Sequence, residues 1–132
     1  MRRPARPYAF EKVRNHFGMT RMTQAAALAA LEDQAWMQDV CGRIIAARAR
    51  LDAIARRNGL TPVASATNFV TMDCGGDGAF AKAVLDGLVA DGIFVRKPMA
   101  PGLDRCIRVS CGPDAALDLF EDSLSRVLAA LR

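Results

Sequence analysis

The 132 residues carry a formal charge of +4 and are 52% hydrophobic, 24% charged and 6% aromatic, the profile of one globular domain with an aliphatic core. No run approaches the ~20 apolar residues of a membrane span, and no apolar stretch follows the basic start, Met1 to Pro7, as a secretory signal would require. Cys41, Cys74, Cys106 and Cys111 form no C-x-x-C pair and His16 is far from them in sequence, which argues against a zinc site and points to reduced cytoplasmic thiols acting as small hydrophobes.

Residues 1–10 hold three arginines and two prolines without periodicity and read as a loose tail. Residues 11–132 read as one domain. From Thr20 the alanine-rich spacing predicts a helix, with a break at Glu32-Asp33-Gln34. A second helix is predicted over Trp36–Asn58, where Val40, Ile44, Ala47, Leu51 and Ile54 share a face and Asn58-Gly59 supplies the stop. Asn68–Asp73 reads as a strand and Gly75–Gly78 as a turn. Phe80, Val84, Leu88 and Val89 define a third helix ending at Asp91-Gly92. Ile93–Lys97 and Cys106–Ser110 read as two further strands able to pair as an antiparallel hairpin, and Asp114–Leu131 as a last helix with Pro113 at its start. The fold class is α+β, a small antiparallel or mixed sheet covered by helices.

Arg43, Arg48, Arg50, Arg56 and Arg57 fall among apolar residues at helical spacing and read as the solvated face of a helix. They lack the interleaved aromatics of a nucleic-acid footprint. Arg96 and Arg108 differ, because each interrupts an apolar strand. An unpaired guanidinium is costly to bury, so each must face solvent, an acidic partner or an anionic ligand. An outward-facing arginine on an alternating strand satisfies the pattern, and so does a forked carboxylate grip. Gly75-Gly76-Asp77-Gly78 lacks the spacing of a phosphate loop. No Ser-His-Asp set, carboxylate pair or metal cluster emerges, so the residues alone lead to a small α+β domain with an anion-binding option.

Four segments in order resemble the C-terminal part of class I/II aminotransferases, nearest the histidinol-phosphate aminotransferase branch. They are Val13–Thr20 with Gln24–Asp33, Gly59–Val70, Leu88–Arg96 and Ile107–Gly112. Together they cover about residues 11–131. The first is similar to the family's crossover from its large to its small domain. The resemblance implies the small-domain fold of a pyridoxal 5'-phosphate (PLP) enzyme, an amino acid and a 2-oxo acid as substrates, and a homo-oligomeric complete enzyme. It implies that Arg108 grips the substrate α-carboxylate, that Arg96 helps hold the distal anionic group, and that Asn68 and Phe69 are structural.

The family's Schiff-base lysine precedes the crossover, and Lys12, Lys82 and Lys97 stand in no matching context. The aspartate, tyrosine and asparagine of the family's cofactor pocket belong to the same missing large domain. The expectation is therefore a chain with no catalytic or cofactor-binding residue of its own, inactive alone, with no metal, nucleic-acid or membrane partner. The competing reading is a stand-alone module binding an anionic metabolite or a protein partner through Arg96 and Arg108. A domain built to pack on a larger one also exposes apolar surface, for which Met19, Met22 and the alanine-rich helix are the candidates.

Overall fold

The computed structural model describes residues 19–132. The tail over residues 1–10, Lys12 and the Val13–Gly18 part of the crossover segment, including His16, lie outside the described residues. Two compact units are present, with the boundary between Met37 and Gln38.

The first unit contains α1 (Arg21–Glu32). Thr20 caps it, its Oγ1 accepting from the Thr23 N–H at 3.1 Å, which satisfies one of the free donors of the first turn. No residue of α1 is buried, and Met22 is 84% exposed. The expected break falls at Asp33, whose φ of −86° and ψ of 70° leave the helical region. Its Oδ1 accepts from the Trp36 N–H at 3.0 Å, so one residue closes α1 and caps α2 (Gln34–Arg57).

The second unit holds the sheet and the core. After α2 come β1 (Thr61–Pro62), β2 (Phe69–Asp73), α3 (Gly78–Ala90), β3 (Cys106–Ser110) and α4 (Asp114–Leu131). The strand order is β1-β2-β3, antiparallel throughout. Val70 faces Val109 and Met72 faces Ile107, so these four share one side of the sheet. They are buried together with Leu51, Ile54, Val84, Leu88, Leu117, Phe120 and Leu124 from α2, α3 and α4. The helices therefore cover one face of the sheet. Phe69 and Thr71 on β2, with Arg108 and Ser110 on β3, point to the other face by the two-residue alternation of strands.

Two helix ends are closed in the same way. At the end of α2 the Gly59 N–H donates to the Arg56 carbonyl and the Leu60 N–H to the Ala55 carbonyl, with Gly59 at φ 71°. At the end of α3 the Gly92 N–H donates to the Val89 carbonyl and the Ile93 N–H to the Leu88 carbonyl, with Gly92 at φ 79°. This paired closure satisfies carbonyls that would otherwise be orphaned and needs a left-handed residue, which glycine supplies without strain.

That closure corrects the hairpin expected between Ile93–Lys97 and Cys106–Ser110. The Ile93 N–H is taken by the end of α3, and the following residues meet β3 only through one isolated bridge between Arg96 and Arg108. The ladder partner of β3 is β2 instead. The arginine-rich face of α2 also differs from a purely solvated one. Arg50 bonds the carboxylates of Asp114 and Asp118, and Arg57 that of Glu121 at 2.6 Å, tying α2 to α4. Arg48 donates to the Thr67 carbonyl at 2.9 Å.

Candidate functional site

Arg108 lies mid-strand in β3, directly opposite Thr71 of β2. On its other side it pairs with Arg96 through two reciprocal hydrogen bonds. The Arg96 N–H donates to the Arg108 carbonyl at 3.1 Å, and the Arg108 N–H donates to the Arg96 carbonyl at 2.6 Å. Residues paired this way in an antiparallel bridge send their side chains to the same face. Both arginines thus project from the face that the helices leave open. Arg96 is exposed and Arg108 half-buried.

Like charges placed directly opposite one another destabilise a sheet unless something compensates. No carboxylate among the described residues forms an ion pair with either guanidinium. Asp73 continues the same face, but it is engaged elsewhere. Arg105 Nε donates to its Oδ1 at 2.8 Å and the Gly75 N–H donates at 2.9 Å. The Arg105 hydrogen bond, with the Gly75 N–H assisting against the opposing effect of burial, holds the Asp73 carboxyl below the usual aspartate range. The face therefore carries two cations whose hydrogen-bonding edges have no acidic partner among the described residues.

Arg108 does have an aromatic neighbour. Its Cζ sits 4.7 Å from the centroid of the Phe69 ring, within cation–π range. Phe69 is opposite Ser110, one step diagonally from Arg108. The start of β2 is fixed by local bonds: Ser65 Oγ donates to the Phe69 carbonyl at 2.7 Å, and the Asn68 carbonyl accepts from the Cys111 N–H at 2.8 Å. Sequence reasoning marked Phe69 as structural and missed this contact. The diagonal depends on the β2–β3 register, which no local spacing encodes.

On the helix side of β3, a cleft of about 230 Å³ is lined by Ile93, Phe94, Val95, Val109, Leu117 and Phe120 among others, with no titratable side chain. It is the gap left where residues 93–95 fail to join the sheet. Its apolar lining offers no chemistry beyond packing.

Lys82 is exposed and its Nζ is held by Asp86 at 2.6 Å on α3. Lys97 follows Arg96 and precedes Pro98. Among the described residues no group of three His, Cys, Asp or Glu side chains is placed to hold a metal. No described helix is long and apolar enough to cross a membrane.

Comparison with known proteins gives a consistent result. The family model "Aminotransferase class I and II" matches residues 8–124. Histidinol-phosphate aminotransferase 1 of Mesorhizobium japonicum is 34% identical over 118 residues, covering 89% of this chain and 31% of the relative. Histidinol-phosphate aminotransferase 2 of Methylococcus capsulatus is 37% identical over 117 residues, with the same coverage of both chains. The crystal structure of histidinol-phosphate aminotransferase from Sinorhizobium meliloti in complex with pyridoxal-5'-phosphate superposes with a TM-score of 0.87 at 49% identity, covering 94% of this chain and 34% of that one. The chain spans about a third of the length of the proteins it matches.

Proposed function

Since the chain belongs to the class I and II aminotransferase family, we propose that it is the substrate-gripping small domain of a PLP-dependent enzyme. That enzyme moves an amino group between an amino acid and a 2-oxo acid. The observation that carries this reading is the pair Arg96 and Arg108, side by side on the open face of the sheet without an acidic partner among the described residues. A guanidinium presents two parallel N–H donors that match a carboxylate, and the charge on both partners strengthens each bond. Arg108, mid-strand and half-buried, holds the α-carboxylate. Arg96, exposed, meets the anionic group at the other end of the substrate.

Fixing the carboxylate fixes the substrate's orientation, and orientation converts an encounter into an effectively unimolecular reaction. PLP supplies the electron sink when bound. The reading leaves the cofactor anchor to other residues of the enzyme, since Lys82 is engaged by Asp86 on α3. The role assigned to the chain is therefore binding and orientation, with the cofactor held by a large domain supplied by the rest of the enzyme. The assembled enzyme works in the cytoplasm as a homo-oligomer.

The test is complementation. The large domain of a histidinol-phosphate aminotransferase is mixed with this chain, PLP, glutamate and a 2-oxo acid, and turnover is followed. Wild-type chain is expected to restore turnover, Arg108→Ala to abolish it, and Arg108→Lys to recover little because an ammonium lacks the fork. The chain with PLP alone is expected to show none. Turnover by the isolated chain, or full restoration by Arg108→Ala, overturns the reading. Glutamate binding by the chain that is sensitive to Arg108, with no turnover in any mixture, favours a stand-alone anion-binding module.

A further inference from the structure

We infer that Phe69 is a positioning residue for the Arg108 guanidinium. Its ring holds the guanidinium by the face so that the donor edge is presented to an anionic ligand. The inference rests on the reading of Arg108 as a carboxylate grip. All five donors of a guanidinium lie in its plane, so a neighbour at its face restrains it without consuming a donor. A carboxylate neighbour would do the opposite and occupy the edge the ligand needs. Here the guanidinium carbon of Arg108 lies over the Phe69 ring, 4.7 Å from its centroid, and no described carboxylate pairs with it.

The restraint is built into the sheet. Phe69 pairs with Ser110 and Thr71 with Arg108, so the ring and the guanidinium occupy diagonal positions on the open face. Phe69 is half-buried and its backbone is fixed by the Ser65 hydroxyl, so the ring has few alternative positions. Thr71, the side chain directly opposite Arg108 on β2, is too short to cover a guanidinium. An arginine left unrestrained loses its rotamer freedom on binding, and a ring that has already restricted it reduces that loss.

The experiment reads the Arg108 side chain directly by NMR, using its Nε–Hε resonance, assigned with Arg108→Lys. Three chains are compared: wild type, Phe69→Leu and Phe69→Tyr. The ring is expected to displace the Hε resonance, Phe69→Leu to remove the displacement, and Phe69→Tyr to restore it. Titration with glutamate is expected to show weaker binding in Phe69→Leu by about two- to five-fold, the factor corresponding to ~0.5–1 kcal/mol of exposed cation–π interaction, with recovery in Phe69→Tyr. A merely structural role would lower the unfolding midpoint of Phe69→Leu and leave both readouts unmoved, which overturns the inference. A wild-type chain in which glutamate never perturbs Arg108, although Phe69→Leu shifts its resonance, overturns the carboxylate reading and leaves the ring–guanidinium restraint standing.

Discussion

Replacement of Gly87 by alanine tests the contact that sets α3 against α4 beneath the sheet. Glycine in a helix interior costs about 1 kcal/mol relative to alanine, so on propensity alone Gly87→Ala stabilises by that amount. The structure opposes it. A Cβ on Gly87 would lie 2.7 Å from Val127 Cγ1, 3.0 Å from Cγ2 and 3.4 Å from Cβ. Valine is stiff about χ1 in a helix, and both of its γ-carbons are already too close, so no rotation clears the clash. Overpacking of this kind costs about 1–3 kcal/mol. The net expectation is a loss of about 1 kcal/mol, a fall in melting temperature of about 4 °C or more for a unit of this length. Urea unfolding of four chains decides the matter: wild type, Gly87→Ala, Val127→Ala and the double variant. In the Val127→Ala background the clash is gone, so Gly87→Ala becomes stabilising by about 1 kcal/mol. The coupling is then about 2 kcal/mol, the difference between the two backgrounds. Additivity within about 0.5 kcal/mol would refute the close approach of the two helices.

Three further outcomes are expected. The Asp73 carboxyl is held low chiefly by the Arg105 hydrogen bond, and that of Asp91 by the Ser123 hydroxyl and then Arg126. A carboxyl that binds its proton less readily in the folded chain contributes stability that is complete above the unfolded value near 4 and is lost as pH falls through the folded value. The urea midpoint is therefore expected to be flat above pH 5 and to drop below pH 4, less steeply in an Asp73→Asn, Asp91→Asn double variant; an equal drop in both chains contradicts this. Among the thiols, exposed Cys41 is expected to react first with iodoacetamide at pH 8, while Cys74 stays inert because burial pushes it up to about 11; mass mapping that finds Cys74 labelled in the folded chain goes against this. Truncation of Met72, fully buried under the sheet, to alanine is expected to cost about 2–5 kcal/mol in calorimetry, and a cost below 1 kcal/mol would mean that the helices do not cover that face.

The parts of the fold legible in sequence were those governed by local periodicity and end signals. The last helix and the strand Cys106–Ser110 appear with the residues expected, because each combines a regular local pattern with a proline or glycine at its boundary. The two-residue strand Thr61–Pro62 was illegible, since two residues carry no period and one of them is proline. Ile93–Val95 misled because β-branched and aromatic residues in a run read as a strand. The Ile93 N–H is instead claimed by the closure of α3, and Phe94 is 81% exposed. At the site, Arg96 and Arg108 stood out as charges in apolar runs. That they face one another, and that an aromatic ring lies beside one of them, follows from pairings across more than ten residues of chain.

The two arginines are anchored unequally. Arg108 belongs to a five-residue ladder with β2, whereas Arg96 belongs to a strap fastened to β3 at a single bridge and followed by a loop containing Pro98, Pro101 and Gly102. Displacing Arg108 means breaking a ladder. Displacing Arg96 means breaking only the two main-chain bonds of that bridge. On the proposed reading, the end of a ligand held by Arg108 is therefore held from a ladder, and the end held by Arg96 from a single bridge.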